Sequence, residues 1–217
     1  GKRDVYHGGR VRPTAEVYAE AGLAPMTLEP KEGLAMVNGT NFMTAVGALA
    51  LQDAHRLAVI ADACTALTTE ALTGITGPFD PFLHDTAKPH PGQVASAART
   101  LRLLRGSRLA RDYAELVREL GTLDKGYRRL EAKIQDKYSI RCAPQCVGAL
   151  HDVVTWTRQI LSIELNSSND NPLYDLEAGT VRSGGNFSGF HVALAMDTLK
   201  TAVGSVAALL DRQFDVL

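Results

Sequence analysis

From Asn41 to Leu72 the chain contains no proline and few charges, and apolar residues recur at helical spacing, among them Val46, Leu49, Leu57, Ile60, Cys64 and Leu67. A helix of roughly 30 residues is about 45 Å long. This one is apolar around much of its girth, so other helices must cover it on several sides. That requirement excludes most small mixed folds and sets the frame for reading the rest.

The rest supplies such partners. Strong helical patterns run over 145–165 and 190–214, and shorter ones over 92–104 and 111–120. Thr14 reads as the N-cap of a short helix stopped by Gly22 and Pro25. Gly74 to Pro91 reads as loop, 135–144 as irregular, and Asn166 to Pro172 as a turn-rich connection. A small hairpin is expected over 173–181, around Ala178-Gly179. The predicted fold is all-α: one domain over 1–217, a bundle of long, nearly parallel or antiparallel helices with polar loops at the ends.

A formal net charge of -1 gives no footprint for nucleic acid or an anionic membrane surface. The apolar runs near 45–67 and 189–210 are interrupted by Asp53 and Arg56 and by Asp197 and Lys200, so no membrane span is assigned. The cysteines are Cys64, Cys142 and Cys146, too few for a disulfide framework. No second Cys or His pair stands at metal spacing, so no metal is expected, and Cys142 and Cys146 read as small buried hydrophobes. Gly1-Lys2-Arg3-Asp4 is charged with no apolar run behind it, unlike a signal peptide, and a cytoplasmic setting is expected. Patterned sequence runs to both ends, which leads to the expectation of a piece of something larger.

Three polar knots exceed what a bundle needs for its connections. Gln135, Tyr138 and Arg141 stand at a spacing of three, and on successive helical turns they would share a face. They offer an amide for orientation, a phenol for proton handling and a planar cation for a carboxylate. Asn166 to Pro172, which includes Asn171, is followed by Ser183-Gly184-Gly185-Asn186-Phe187. Asn38-Gly39-Thr40 abuts the most apolar helix. Taken singly, each knot reads as caps and a solvated turn, Arg141 as a structural arginine, His90 as a loop histidine and Trp156 as core. Converging at one end of the bundle, they would read as a site. No phosphate loop, dinucleotide fingerprint, His-Glu-x-x-His or nucleophile elbow is present.

The knots also carry a resemblance. Lys31-Glu32-Gly33-Leu34-Ala35-Met36-Val37-Asn38-Gly39-Thr40 is similar to the Lys-Glu-Gly-Leu-Ala-Leu-x-Asn-Gly-Thr signature of the histidine, phenylalanine and tyrosine ammonia-lyases and their aminomutase relatives. Pro89-His90-Pro91-Gly92-Gln93, 135–145, 166–173 and Gly184-Gly185-Asn186-Phe187 match the same family in the same order. The resemblance implies elimination of ammonia from an aromatic L-amino acid to a trans-arylacrylate, such as urocanate, cinnamate or coumarate. It also implies a methylidene-imidazolone electrophile and a homotetramer whose sites draw on three subunits. By resemblance, Arg141 clamps the substrate carboxylate, Tyr138 lies beside the reacting amine, and Asn38 and Gln135 hydrogen-bond substrate or cofactor. Asn171 supports the carboxylate end, and Phe187 packs near cofactor and ring.

These 217 residues contain no Ala-Ser-Gly, the tripeptide from which that electrophile forms. In the family it lies upstream of Gly1, with the loop carrying a tyrosine base, while a substrate-selecting glutamate lies beyond Leu217. The isolated chain is therefore expected to be inactive. A 2,3-aminomutase and a catalytically silent assembly module stand as alternatives. A fumarase-like lyase does not, for want of its Gly-Ser-Ser-x-Met-Pro loop. Self-association is expected through 41–72, 145–165 and 190–214.

Overall fold

The computed structural model describes residues 3–121, 127 and 134–217. A hairpin of β1 (Asp4–His7) and β2 (Arg10–Pro13) leads into α1 (Thr14–Glu20) and α2 (Glu32–Val37). Then come α3 (Asn41–Ala71), α4 (Pro91–Leu103), α5 (Tyr113–Leu120), α6 (Tyr138–Arg141) and α7 (Ala143–Leu165). A second hairpin, β3 (Leu173–Asp175) and β4 (Thr180–Arg182), precedes α8 (Phe190–Phe214). The fold is all-α with polar connections at the ends of long helices, as the sequence predicts.

Four helices make the bundle. α7 runs antiparallel to α3: Thr40 meets Glu164 at one end and Asp62 meets His151 further along. α8 runs parallel to α3, with Gly189 near Met43 and Gln213 near Thr65. The principal core joins Leu51, Ala54, Ala58 and Ala61 of α3 to Val147, Leu150, Val154 and Leu161 of α7 and Val192, Leu199 and Val206 of α8. α4 packs on α7 at near-backbone contact. A Cβ on Gly92 would lie 2.1 Å from the Gly148 carbonyl, and one on Gly148 would lie 2.4 Å from Gln93 Cα.

The faces of α3 differ in side-chain size. Apart from Leu51, its buried residues are small or polar, whereas Val46, Leu49, Leu57, Ile60 and Leu67 point outward, Leu49 at 72% and Leu67 at 66% exposure. Asp62 sits fully buried on the inward face. It accepts from Ser96 Oγ and Arg99 Nη1, and His151 Nε2 lies 3.0 Å from both its Oδ2 and Arg99 Nη1. A buried carboxylate is tolerated only with such partners. Two stretches, Glu32–Ala71 and α8, are apolar and long enough to cross a bilayer by length and composition.

Other local readings are corrected. Thr14 is the first helical residue rather than the N-cap, which is Pro13, and its hydroxyl donates to the Arg3 carbonyl. The segment read as loop holds a 3-10 turn (Gly77–Phe79) and a π-helical turn (Phe82–Ala87), pinned by buried His84 between the Pro78 carbonyl and Gln93. Cys142 is exposed and Cys146 half-buried, so the pair is not a buried hydrophobic unit; Trp156 is also exposed. Residues 122–126 and 128–133 lie outside the described residues. Gly92→Ala should force α4 from α7 and destabilise the chain by roughly 1–3 kcal/mol; an unchanged midpoint in thermal unfolding followed by circular dichroism would contradict this packing.

Candidate functional site

The polar knots do not converge at one end of the chain. They form two centres at opposite ends of α3, which corrects the expected convergence. Asn38 precedes the N-terminus of α3, while Tyr138 and Arg141 belong to the Thr65 end. Along α3, Asn41 and Thr65 are separated by about 36 Å at ~1.5 Å per residue.

The first centre joins the turn before α3 to the loop after α7. Gly39 has φ 104°, and a Cβ there would meet the Asn169 carbonyl at 1.9 Å, so only glycine lets the two segments touch. Beside this contact, Asp170 gathers donors. Lys31 Nζ lies 2.6 Å from Oδ2, while Asn38 Nδ2 and the Asn171 backbone N–H donate to Oδ1 at 2.7 Å each. Lys31 first, then Asn38 and the Asn171 N–H, push the Asp170 carboxyl from its ordinary 3.8 down to about 2. Asn171 Oδ1 accepts from the Gly184 N–H at 2.7 Å, and Asn186 Nδ2 reaches the Ser168 carbonyl at 3.3 Å. These bonds tie the loop to the segment carrying Phe187, whose ring is 47% exposed. Asn38, Asn171 and Phe187 are thus brought together.

The second centre is set by buried polar anchors. Gln213 Nε2 donates to Thr65 Oγ1 at 2.9 Å and to the Ser139 carbonyl at 3.0 Å, fastening α6 to α3 and α8. Ile140 is fully buried beside Phe79, Ala66 and Leu104. Asp136 Oδ2 accepts from the Ile75 N–H at 2.7 Å, fixing the approach to α6. On that platform the Arg141 guanidinium stacks over the Tyr138 ring, 4.3 Å from its centroid. Tyr138 is 73% exposed, and Arg141 Nε is buried without a hydrogen-bond partner among the described residues.

Arg141 and Gln135 line a cleft of about 780 Å³ with Asp80, Phe82, Tyr113, Cys142 and Gln145. Gln135 precedes α6 rather than sharing its helical face, but it reaches the same cleft. Such a cleft, with a cation and an amide on mainly apolar walls, suits a small amphiphilic carboxylate. No cluster of metal-ligating side chains occurs among the described residues.

Sequence reasoning gave no role to Asp170, Lys31, Asp80, Phe82 or Tyr113. Asp170 and Lys31 stood inside quoted motifs, so their partnership was the missing information. Nothing in the sequence joins Phe82 and Tyr113 to Arg141.

The model of a family described as "Aromatic amino acid lyase" matches residues 1–217. The MIO-dependent tyrosine 2,3-aminomutase of Streptomyces globisporus is 43% identical over 218 residues, covering 99% of this chain and 40% of that protein. The histidine ammonia-lyase of Sorangium cellulosum is 40% identical over 222 residues, covering 100% and 40%. The crystal structure of the Streptomyces globisporus tyrosine aminomutase superposes with a TM-score of 0.90 at 42% identity, covering 99% of this chain and 41% of that one. The chain spans about two-fifths of the length of the curated relatives it matches.

Because the folded Asp170 titrates below its unfolded value, its stabilising contribution is complete above pH 3.8 and is lost as pH falls toward 2. Asp170→Asn should lower stability at neutral pH and remove this part of the acid limb. An acid unfolding curve of unchanged shape would count against the ion pair.

Proposed function

This chain belongs to the aromatic amino acid lyase family, and from that premise we propose that it is the central helical part of a carbon–nitrogen lyase that eliminates ammonia from an aromatic L-amino acid. One observation carries the reading furthest: a half-buried arginine with an unpartnered Nε, stacked on an exposed phenol, at the wall of a cleft sized for an amino acid.

Arg141 binds the substrate carboxylate through its planar fork, a role lysine fills poorly. Tyr138 presents its phenol beside the bound amine. Gln135 orients substrate from the same wall. Asn38 hydrogen-bonds a polar group of substrate or cofactor, Asn171 supports the carboxylate end, and Phe187 covers the aromatic ring. The β proton is weakly acidic, so fixed geometry and oriented polar groups must contribute much of the rate. The family's methylidene-imidazolone, when present, supplies the electrophile that makes the amine a leaving group. The residues present fit such a group: Asn38 keeps an amide oxygen without a partner among the described residues, and Phe187, on the segment tied to the same loop through Gly184 and Asn186, has an exposed ring. Its source tripeptide is not in these 217 residues.

Two centres about 36 Å apart cannot serve one small substrate within a single copy. The exposed stripe of α3 resolves this. Phe42, Val46, Leu49, Leu57, Ile60 and Leu67 stand uncovered, and Phe190, Leu194 and Phe214 do so on α8. Burial of the α3 side chains alone offers on the order of 10 kcal/mol before association costs. Antiparallel packing of copies through these faces would bring the Arg141 end of one to the Asn38 end of another, in a homotetramer. Asp53 and Arg56 on the same outer surface favour protein over lipid as the cover. Free cysteines throughout support a cytoplasmic setting.

A second reading, a 2,3-aminomutase, is favoured by the 43% identity to the Streptomyces globisporus tyrosine aminomutase. Product identity separates the two: a lyase releases the arylacrylate, and an aminomutase returns a β-amino acid.

Three outcomes are expected. In the full-length protein, Arg141→Ala should lose about 2–5 kcal/mol of transition-state binding, read as kcat/KM from arylacrylate absorbance. An unchanged kcat/KM would instead favour a silent assembly module. The isolated 217-residue chain should release no arylacrylate from histidine, phenylalanine or tyrosine. In sedimentation velocity at micromolar concentration it should run heavier than 23.3 kDa.

A further inference from the structure

The Asp170 carboxylate faces Asn38 in a way that fixes which end of the Asn38 amide is offered to a ligand. We propose that Asp170 and Lys31 are positioning residues. They hold the Asn38 amide with its nitrogen turned inward and its carbonyl oxygen turned out, ready to accept a hydrogen bond from an N–H of the bound amino acid. The proposal rests on the lyase reading above.

A carboxylate only accepts, so the Asn38 group facing Asp170 Oδ1 at 2.7 Å must be the NH₂. Rotating the amide by half a turn would set two oxygen acceptors against each other at the same distance. The Asn171 N–H already donates to Oδ1, and Lys31 Nζ holds Oδ2, so the carboxylate cannot turn away to relieve such a clash. Asn38 Oδ1 has no hydrogen-bond partner among the described residues, and it is not one of their buried unpartnered atoms, so it is open to a ligand.

The backbone on both sides is committed to this contact. Lys31 holds φ 82°, a left-handed conformation that costs energy for a residue with a Cβ. It stands there at the head of α2 with its ammonium on Asp170. On the other side, Gly39 locks the Asn38 turn against Asn169, the residue before Asp170. Lys31 also balances the charge of Asp170, so the centre presents a neutral, oriented acceptor rather than a second anion near the substrate carboxylate.

The test is a double-mutant cycle in the full-length, cofactor-bearing protein, with kcat and KM measured for Asp170→Ala, Asn38→Ala and the pair. Each single change should lower kcat/KM roughly 10- to 100-fold. The pair should be no worse than the more damaging single, because Asp170 acts through Asn38. Asp170→Asn, which keeps one acceptor oxygen, should recover part of the loss. Losses that multiply in the pair would mean that Asp170 does not act through Asn38 and overturn the proposal. So would failure of both Asp170 variants to assemble. A wild-type protein forming neither arylacrylate nor β-amino acid from any aromatic amino acid would overturn the lyase reading beneath it, and this assignment with it.

Discussion

Close approach between helices through their smallest side chains is the constraint on which this structure depends. α3 presents Ala54, Ala58 and Ala61 to the core, and α4 meets α7 where Gly92 and Gly148 leave room for nothing larger than hydrogen. Near-backbone contact gains dispersion along the whole length of the rods and loses little side-chain entropy. On α3 it leaves the larger apolar side chains, Leu51 apart, no place inside. They are displaced to the outer surface, where an isolated copy exposes them to water.

The same tight packing makes the polar interior possible. Asp62 lies at the meeting of α3, α4 and α7: Ser96 and Arg99 of α4 donate to it, and His151 Nε2 of α7 lies 3.0 Å from both its Oδ2 and Arg99 Nη1. A hydrophobic interface alone would tolerate one helix sliding along another. A buried ion with partners on two helices penalises any slide with an unpaired charge. The long helices are thus held in register, and so are the loops at their tips.

Legibility followed the kind of information each feature needs. The long helices were readable because proline-free apolar periodicity is local, and α8 begins and ends where the pattern does. Their orientation was not. On a helix apolar around much of its girth, periodicity marks where Leu49 and Leu67 recur but not whether that stripe faces this chain or another. The site residues were named through motifs, and the structure gathers Asn38, Asn171 and Phe187 at one centre and Gln135, Tyr138 and Arg141 at the other. That these are two centres depends on helix direction, which no motif records. The ring of donors about Asp170 was illegible for a similar reason: Lys31 and Asp170 lie 139 residues apart.

The displaced side chains and the divided site are then two consequences of one cause. Rods packed on their small faces leave their large faces open on the outside, and rods this long place the loops of their two ends beyond the reach of one substrate. In the proposed assembly, copies meeting antiparallel on those large faces would answer both at once, burying the stripe of α3 while setting Arg141 of one copy near Asn38 of the next. In such an arrangement the polar centres need no bond to each other within a chain. Each needs only to be rigid on its own platform, and each is: Gln213 and Asp136 hold one, Lys31 and Asp170 the other. Rigidity within each half replaces contact between halves, so the precision of the shared site would be set by how firmly the helices of neighbouring copies lock together.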